Sequence, residues 1–100
     1  MNRELYPEGL EALVREAWAR YRLPVLITEN GVPDAQGNLR DTYLLSHLMH
    51  LGKAAKEVPV LGYLHWSLVD NYEWGSFGPR FGLYRVDYDR GFERTPAGGA

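Results

Sequence analysis

The sequence contains no cysteine among its 100 residues, which excludes disulfide bonds, thiol catalysis and cysteine-ligated zinc. It lacks any apolar segment near the ~18 residues that a membrane span needs. It also has no long run of like charges, and its net charge of -2 argues against the basic surface of a nucleic-acid-binding protein. These absences predict a soluble, cytoplasmic protein with neither a membrane nor a nucleic-acid partner.

What the sequence does have is an ordinary apolar fraction and many aromatic side chains. The apolar residues make up 45% of the chain, as in a typical globular protein. There are three tryptophans, seven tyrosines and three phenylalanines, and two of the tryptophans stand close together beside acidic and amide residues. A chain of this length is one small domain or a piece of a larger one.

Two helices are predicted from apolar residues that recur at three- and four-residue spacing. The first covers 8–22 and follows Pro7, which suits a first helical turn because its missing N–H costs nothing there. The second covers 41–56, with Asp41 as a plausible N-cap. Its predicted buried stripe consists of Leu44, Leu45, Leu48, Leu51 and Ala55.

Two continuous apolar runs, at 25–28 and 60–68, predict strands that are buried on both faces. Alternating helices and buried strands imply a parallel sheet with helical crossovers. A hairpin is predicted around Asp89-Arg90-Gly91, followed by a frayed end at 97–100. Two parallel strands cannot form a stable sheet alone, so the pattern predicts a slice of a larger α/β fold or an assembly of copies.

Polar and aromatic residues follow both predicted strands and are candidates for a site. Glu29 comes directly after the first strand, where barrel enzymes carry catalytic groups, and Asn30 beside it can bond a ligand. Beyond the second strand, Trp66, Glu73 and Trp74 offer the aromatic faces and carboxylates that bind sugars. The alternatives are an exposed glutamate in a turn, and a core tryptophan followed by a polar loop.

The three histidines are weaker signals. His47 and His50 share roughly one side of the second predicted helix, but a metal site there would need a further ligand and none is evident. We interpret them as surface or packing residues. His65, in an apolar run, is interpreted as a core histidine with satisfied hydrogen bonds.

Several blocks of the sequence resemble the family-one glycoside hydrolases, the β-glucosidases and β-galactosidases, in the family's own order. LITENG at 26–31 resembles the nucleophile motif, and GYLHWSLVDNYEW at 62–74 resembles the last barrel strand and its sugar-binding loop. LYPEGL at 5–10 and YLLSHL at 43–48 are similar to flanking segments. The resemblance covers nearly the whole chain and looks closest to archaeal and thermophilic β-glycosidases.

This resemblance implies an α/β fold that is part of a (β/α)8 TIM barrel. Residues 1–100 would be the C-terminal portion of the barrel domain: the last two βα units plus a C-terminal hairpin, incomplete on its own. The implied activity is retaining hydrolysis of β-linked glucosides or galactosides without a cofactor or metal. The implied partner is a β-linked glycoside, and the incomplete sheet pattern predicts as a further partner either a complementary barrel fragment or another copy of the chain.

The resemblance also implies a role for each matching residue. Glu29 would be the nucleophile, and Trp66 the aromatic platform beside the sugar. Glu73 would accept hydrogen bonds from hydroxyls at the far edge of the sugar, and Trp74 would donate its indole N–H to one. Phe81 would help to wall the pocket.

One family feature has no counterpart in the chain. Retaining hydrolysis uses two carboxyl groups roughly 5–5.5 Å apart, and in the family the acid/base glutamate lies in an Asn-Glu-Pro motif, which does not occur here. Losing proton transfer costs ~10²–10⁴-fold in rate, so the isolated chain is expected to be inactive or nearly so. The alternative is a catalytically inactive barrel fragment or gene remnant that binds sugar or another barrel piece.

Overall fold

A computed structural model of the chain describes residues 5–97. It contains helix α1 (Pro7–Tyr21), strand β1 (Val25–Ile27), helix α2 (Arg40–Ala55), strand β2 (Val60–Tyr63), and strands β3 (Tyr84–Asp87) and β4 (Glu93–Pro96). Of the predicted frayed end, 98–100 lie outside these residues. No helix between residues 5 and 97 has the length and apolar character to cross a membrane.

Strands β1 and β2 pair in parallel, and α2 connects them, which confirms the predicted parallel unit. Strands β3 and β4 pair antiparallel and form the predicted hairpin. The strands form two separate two-stranded sheets, so the described residues do not close a barrel. Both outer edges of the β1–β2 sheet are consequently unpaired within the described part of the chain.

The core lies on one face of the β1–β2 sheet, between the sheet and the two long helices. Val14 of α1 and Leu51 and Ala54 of α2 are its buried centre, together with Val58 after α2. Partly buried residues of both helices and both strands pack around this centre: Leu10, Trp18, Val25, Ile27, Val60 and Tyr63. Burying apolar surface in this way is the main stabilising contribution to the unit.

Helix α1 agrees with the predicted 8–22 to within one residue at each end. Pro7 occupies its first turn, as predicted. Arg22 adopts a left-handed conformation after the last turn, and its N–H bonds back to the carbonyl of Trp18. This arrangement satisfies a helix-end carbonyl before Pro24 turns the chain into β1.

The predicted cap of α2 is wrong. Asp41 lies inside the first turn and makes no capping hydrogen bond. The carboxylate of Asp34 instead accepts hydrogen bonds from the backbone N–H groups of Leu39 and Arg40 at 2.9 and 2.8 Å. It also accepts those of Gly37 and Asn38 at 3.0 and 3.3 Å. A loop residue several positions upstream therefore caps this helix.

The predicted buried stripe of α2 is also mostly wrong. The buried residues are Arg40, Tyr43, His47, Leu51 and Ala54, whereas Leu45 is 62% exposed. Polar and aromatic side chains occupy the buried face because it packs against loops that follow both strands. The apolar face that sequence periodicity identifies is left partly open to solvent.

The two strands are shorter than predicted, ending at Ile27 and Tyr63. After Tyr63 the chain still bonds to the end of β1, through Leu64 N–H to the Ile27 carbonyl, and from Ser67 onward it bonds to the segment before β3. Ser67 N–H donates to the carbonyl of Phe81, and its own carbonyl accepts from Leu83. Burial does not explain why the apolar run continues through 68, because Leu64 and Leu68 are 55% and 65% exposed.

The histidines differ in how they are satisfied. His47 is buried, its Nδ1 lies 2.7 Å from the Tyr43 carbonyl, and its ring stacks on Tyr43. His50 Nδ1 lies 2.8 Å from Glu11. His65 contradicts the predicted satisfied histidine, because neither of its buried ring nitrogens has a hydrogen-bond partner among the described residues. Burial, followed by the charge of Arg40, lowers the pKa of His65.

Candidate active site

A cavity of about 590 Å³ opens at the carboxyl ends of β1 and β2. All six residues that the sequence analysis selects lie around it, together with three that it did not select. The lining residues are Glu29, Asn30, Gly31, Tyr43, Trp66, Tyr72, Glu73, Trp74 and Phe81. Glu29, which follows β1, and Trp66 and Glu73, which follow β2, therefore converge on one cavity, while the chemical role of each remains a prediction.

Glu29 reaches the cavity because β1 ends two residues before it. On the other side of Glu29, the carbonyl of Asn30 accepts a 2.8 Å hydrogen bond from Trp66 N–H. Gly31 then passes directly against the backbone carbonyl of Trp66, where a Cβ atom would clash. A glycine is required at this close approach, and the exit from β1 is consequently fixed.

Trp66 and Glu73 form a connected pair. The Trp66 Nε1–H donates a 2.7 Å hydrogen bond to Oε1 of Glu73, whose side chain is buried. A buried carboxylate is costly without a partner, and the indole N–H supplies one. The pair presents an aromatic ring and a second carboxylate oxygen to the same cavity as Glu29.

Trp74 stands at the rim of the cavity on a tight turn. Glu73 and Ser76 exchange backbone hydrogen bonds at 2.8 and 3.1 Å, and between them Trp74 and Gly75 both have positive φ, at 46° and 100°. A tryptophan rarely adopts this conformation, and such strain is concentrated at functional sites. The turn leaves the Trp74 side chain 91% exposed.

Phe81 lines the cavity as a buried residue, and Asp70 organises the backbone around it. The Asp70 carboxylate accepts hydrogen bonds from the N–H groups of Gly82 and Val86 at 2.9 and 3.1 Å. It also pairs with Arg80 at 2.9 Å. Asp70 therefore organises the loop that carries Phe81.

Sequence reasoning missed Tyr43 and Tyr72 as lining residues. Tyr72 directly precedes Glu73, so its place in the loop was a usable signal. Tyr43 lies on α2, where its four-residue spacing to His47 marks the buried polar face. No group of three or more histidine, aspartate or glutamate side chains suited to a metal ion occurs in the described segment. What the site offers is carboxylates, aromatic rings and amides, a set suited to a carbohydrate.

The family model described as glycosyl hydrolase family 1 matches residues 1–99, so the chain belongs to that family. It is 51% identical over 87 residues to a β-galactosidase of Sulfolobus acidocaldarius, covering 85% of this chain and 18% of the relative. It is 42% identical over 99 residues to a chloroplastic galactolipid galactosyltransferase of Arabidopsis thaliana, covering 94% of this chain and 16% of that protein.

Solved structures give the same relationship. The β-glycosidase of the hyperthermophile Thermosphaera aggregans superposes with a TM-score of 0.89 and 48% identity, over 93% of this chain and 20% of that chain. The chain is therefore part of the TIM-barrel fold of these β-glycosidases. It spans about a fifth of the length of the relatives that it matches.

Proposed function

We propose that this chain carries the nucleophile half of a retaining β-glycosidase active site that acts on β-linked glucosides or galactosides. The observation that carries the proposal is that Glu29 and the hydrogen-bonded pair Trp66–Glu73 line the same cavity. The cavity lies at the carboxyl ends of parallel strands, the end at which barrel enzymes carry their catalytic groups. Family membership supports the reaction class.

The two carboxylates of the cavity are assigned different roles. Glu29, at the end of β1, attacks the anomeric carbon and forms the glycosyl intermediate, which water later cleaves. Glu73 is buried and already accepts the Trp66 indole N–H, which suits a fixed acceptor for sugar hydroxyls. Trp74 and Phe81 complete the sugar pocket, one at the rim and one at the buried side.

The proton donor to the departing oxygen comes from outside these 100 residues. We assign the chain to the seventh and eighth βα units of the barrel, with the acid/base glutamate on an earlier strand. The sheet supports a place in a larger barrel because its second face is exposed to solvent: Leu26 and Leu61 are 46% and 70% exposed. Exposed apolar side chains and unpaired strand edges favour association with further strands. The partner proposed here is the remainder of a family barrel.

A chimera tests the proposal. In the S. acidocaldarius β-galactosidase, the segment that aligns with this chain would be replaced by this chain, which restores a full barrel length. We expect hydrolysis of aryl β-glucosides or β-galactosides and loss of at least about 10³-fold in kcat for Glu29→Gln, because a missing nucleophile removes the covalent step. Glu93→Gln, an exposed change on β4, is the matched control and should keep full activity.

Azide supplies a second readout. In Glu29→Ala, azide can enter the vacated space and attack the anomeric carbon, displacing the aryl oxide and giving a glycosyl azide of inverted configuration. Activity of the chimera that survives both Glu29 substitutions in the absence of azide would overturn the assignment of the nucleophile. A folded chimera that binds glycosides without turning them over would instead support the alternative, an inactive sugar-binding fragment.

A further inference from the structure

The side-chain amide of Asn30 is bonded at both ends to other protein groups. Tyr63 O–H donates a 2.7 Å hydrogen bond to Asn30 Oδ1, and Asn30 Nδ2 donates to the Tyr43 hydroxyl oxygen at 3.3 Å. The three side chains come from the end of β2, the loop after β1, and α2. These hydrogen bonds therefore link β2 and α2 to the loop that carries Glu29.

The two tyrosines are firm anchors. Tyr43 is buried and stacks on His47 with ring centroids 3.9 Å apart. Tyr63 packs against the core cluster, and its burial, with a contribution from Tyr43, raises its pKa to about 12. The Tyr63 phenol therefore keeps its proton across the neutral range and remains a donor to Asn30.

Glu29 has no hydrogen bond of its own to fix its position among the described residues, whereas its neighbour Asn30 is held. Its own side chain is exposed, and no group among residues 5–97 donates a hydrogen bond to its carboxylate. The next residue, Asn30, is held through its carbonyl by Trp66 N–H and through its amide by the two tyrosines. A carboxylate that attacks a carbon atom must be held in a narrow geometry, since a misplacement of about 1 Å can cost 10²-fold in rate.

We infer that Asn30 is a positioning residue for Glu29, held between Tyr63 and Tyr43, rather than a residue that grips the sugar. The inference rests on the proposed function of Glu29 and differs from the sugar-contacting role that the sequence position of Asn30 predicts. Tyr63 makes the distinction testable because it does not line the cavity. Any effect of Tyr63 on the reaction must pass through another residue.

Covalent labelling in the chimera measures the position of Glu29 directly. The probe is a 2-deoxy-2-fluoro β-glycoside with a dinitrophenolate leaving group: the Glu29 oxygen bonds to the anomeric carbon, and the phenolate departs as an anion without needing an acid. Mass spectrometry identifies the labelled residue. The concentration dependence separates the limiting labelling rate from the half-saturating concentration.

We expect Tyr63→Phe to lower the limiting labelling rate by about 10-fold while the half-saturating concentration changes by less than about 2-fold, because only the attack geometry is disturbed. Asn30→Ala should lower the limiting rate at least as much, and adding Tyr63→Phe to it should lower it no further. Tyr88→Phe is the matched control, because the Tyr88 hydroxyl is buried without a hydrogen-bond partner in the described residues. It should label at the unsubstituted rate.

Two labelling results would contradict a positioning role for Asn30. An unchanged limiting rate in Tyr63→Phe overturns it, as does an Asn30→Ala chimera in which only the half-saturating concentration rises, because that pattern marks a direct sugar contact. Thermal unfolding of each variant identifies loss of structure, and the mild Tyr63→Phe change keeps the test valid if Asn30→Ala does not fold. Failure of the unsubstituted chimera to label Glu29 would overturn the proposed function and this inference together.

Discussion

Replacing Asp34 with alanine is expected to destabilise the chain more than replacing Asp41 with alanine, although Asp41 is the acidic residue within α2. The Asp34 carboxylate accepts four backbone N–H groups ahead of and within the first turn of the helix. Burial raises its pKa, but the hydrogen bonds from Leu39, Arg40, Asn38 and Gly37 together outweigh burial and hold the pKa below its ordinary value.

The size of the stability loss depends on which of these N–H groups could bond to water once the carboxylate is removed. Arg40 is 1% exposed and Leu39 is partly buried, so their N–H groups would be left largely unsatisfied. Loss of a helix cap typically costs ~1 kcal/mol, and an unsatisfied buried donor costs about 1–3 kcal/mol. We expect a loss of about 2–4 kcal/mol for Asp34→Ala, and about 0.3–1 kcal/mol for Asp41→Ala, which removes only a charge near the helix dipole.

Urea unfolding followed by circular dichroism measures both values, with the slope checked for constancy. The pH dependence gives an independent test. Because the folded-state pKa of Asp34 is lowered, its stabilising contribution is fully present above the ordinary value of 3.8 and is lost as pH falls through the folded pKa. The stability difference between the unsubstituted chain and Asp34→Asn should therefore shrink below pH 3.8. Equal losses for Asp34→Ala and Asp41→Ala would refute the reasoning.

Two glycine changes should alter the free energy of unfolding in opposite directions in the same assay. Gly31→Ala should lower it by at least about 3 kcal/mol, because the added methyl group would clash with the Trp66 backbone carbonyl. Gly52→Ala, in α2 with open space around it, should raise it by about 0.5–1 kcal/mol. Asp70→Asn should cost about 3 kcal/mol by breaking the partly buried pair with Arg80; a loss below about 1 kcal/mol would contradict the loop-organising role.

The parts of the fold that local sequence determines were predictable. Helix α1, the parallel strands and the hairpin each follow from apolar spacing and turn residues within a short window. The cap of α2 was not predictable in this way, because Asp34 lies six positions before Arg40 and reaches the helix only through the turn between them. Sequence rules for caps examine the residue next to the helix.

The sequence predicted which residues line the candidate site, but it did not predict the hydrogen bonds between them. Glu29 and Trp66 could be selected because each follows an apolar run. The bond from the Trp66 indole to Glu73, and the anchoring of Asn30 by two tyrosines, depend on how separate segments pack. His65 shows the same limit: an apolar run indicates burial, but it does not say whether the ring nitrogens have partners.

The exposed indole of Trp74 is an intrinsic fluorescence probe at the rim of the cavity. Its side chain is 91% exposed, so its emission should be quenched by iodide, whereas the indole of Trp66 is bonded to Glu73 and partly shielded. A sugar that occupies the cavity would cover Trp74 and protect it from the quencher. Binding of a sugar in the cavity can therefore be measured by fluorescence even in a catalytically inactive form of the protein.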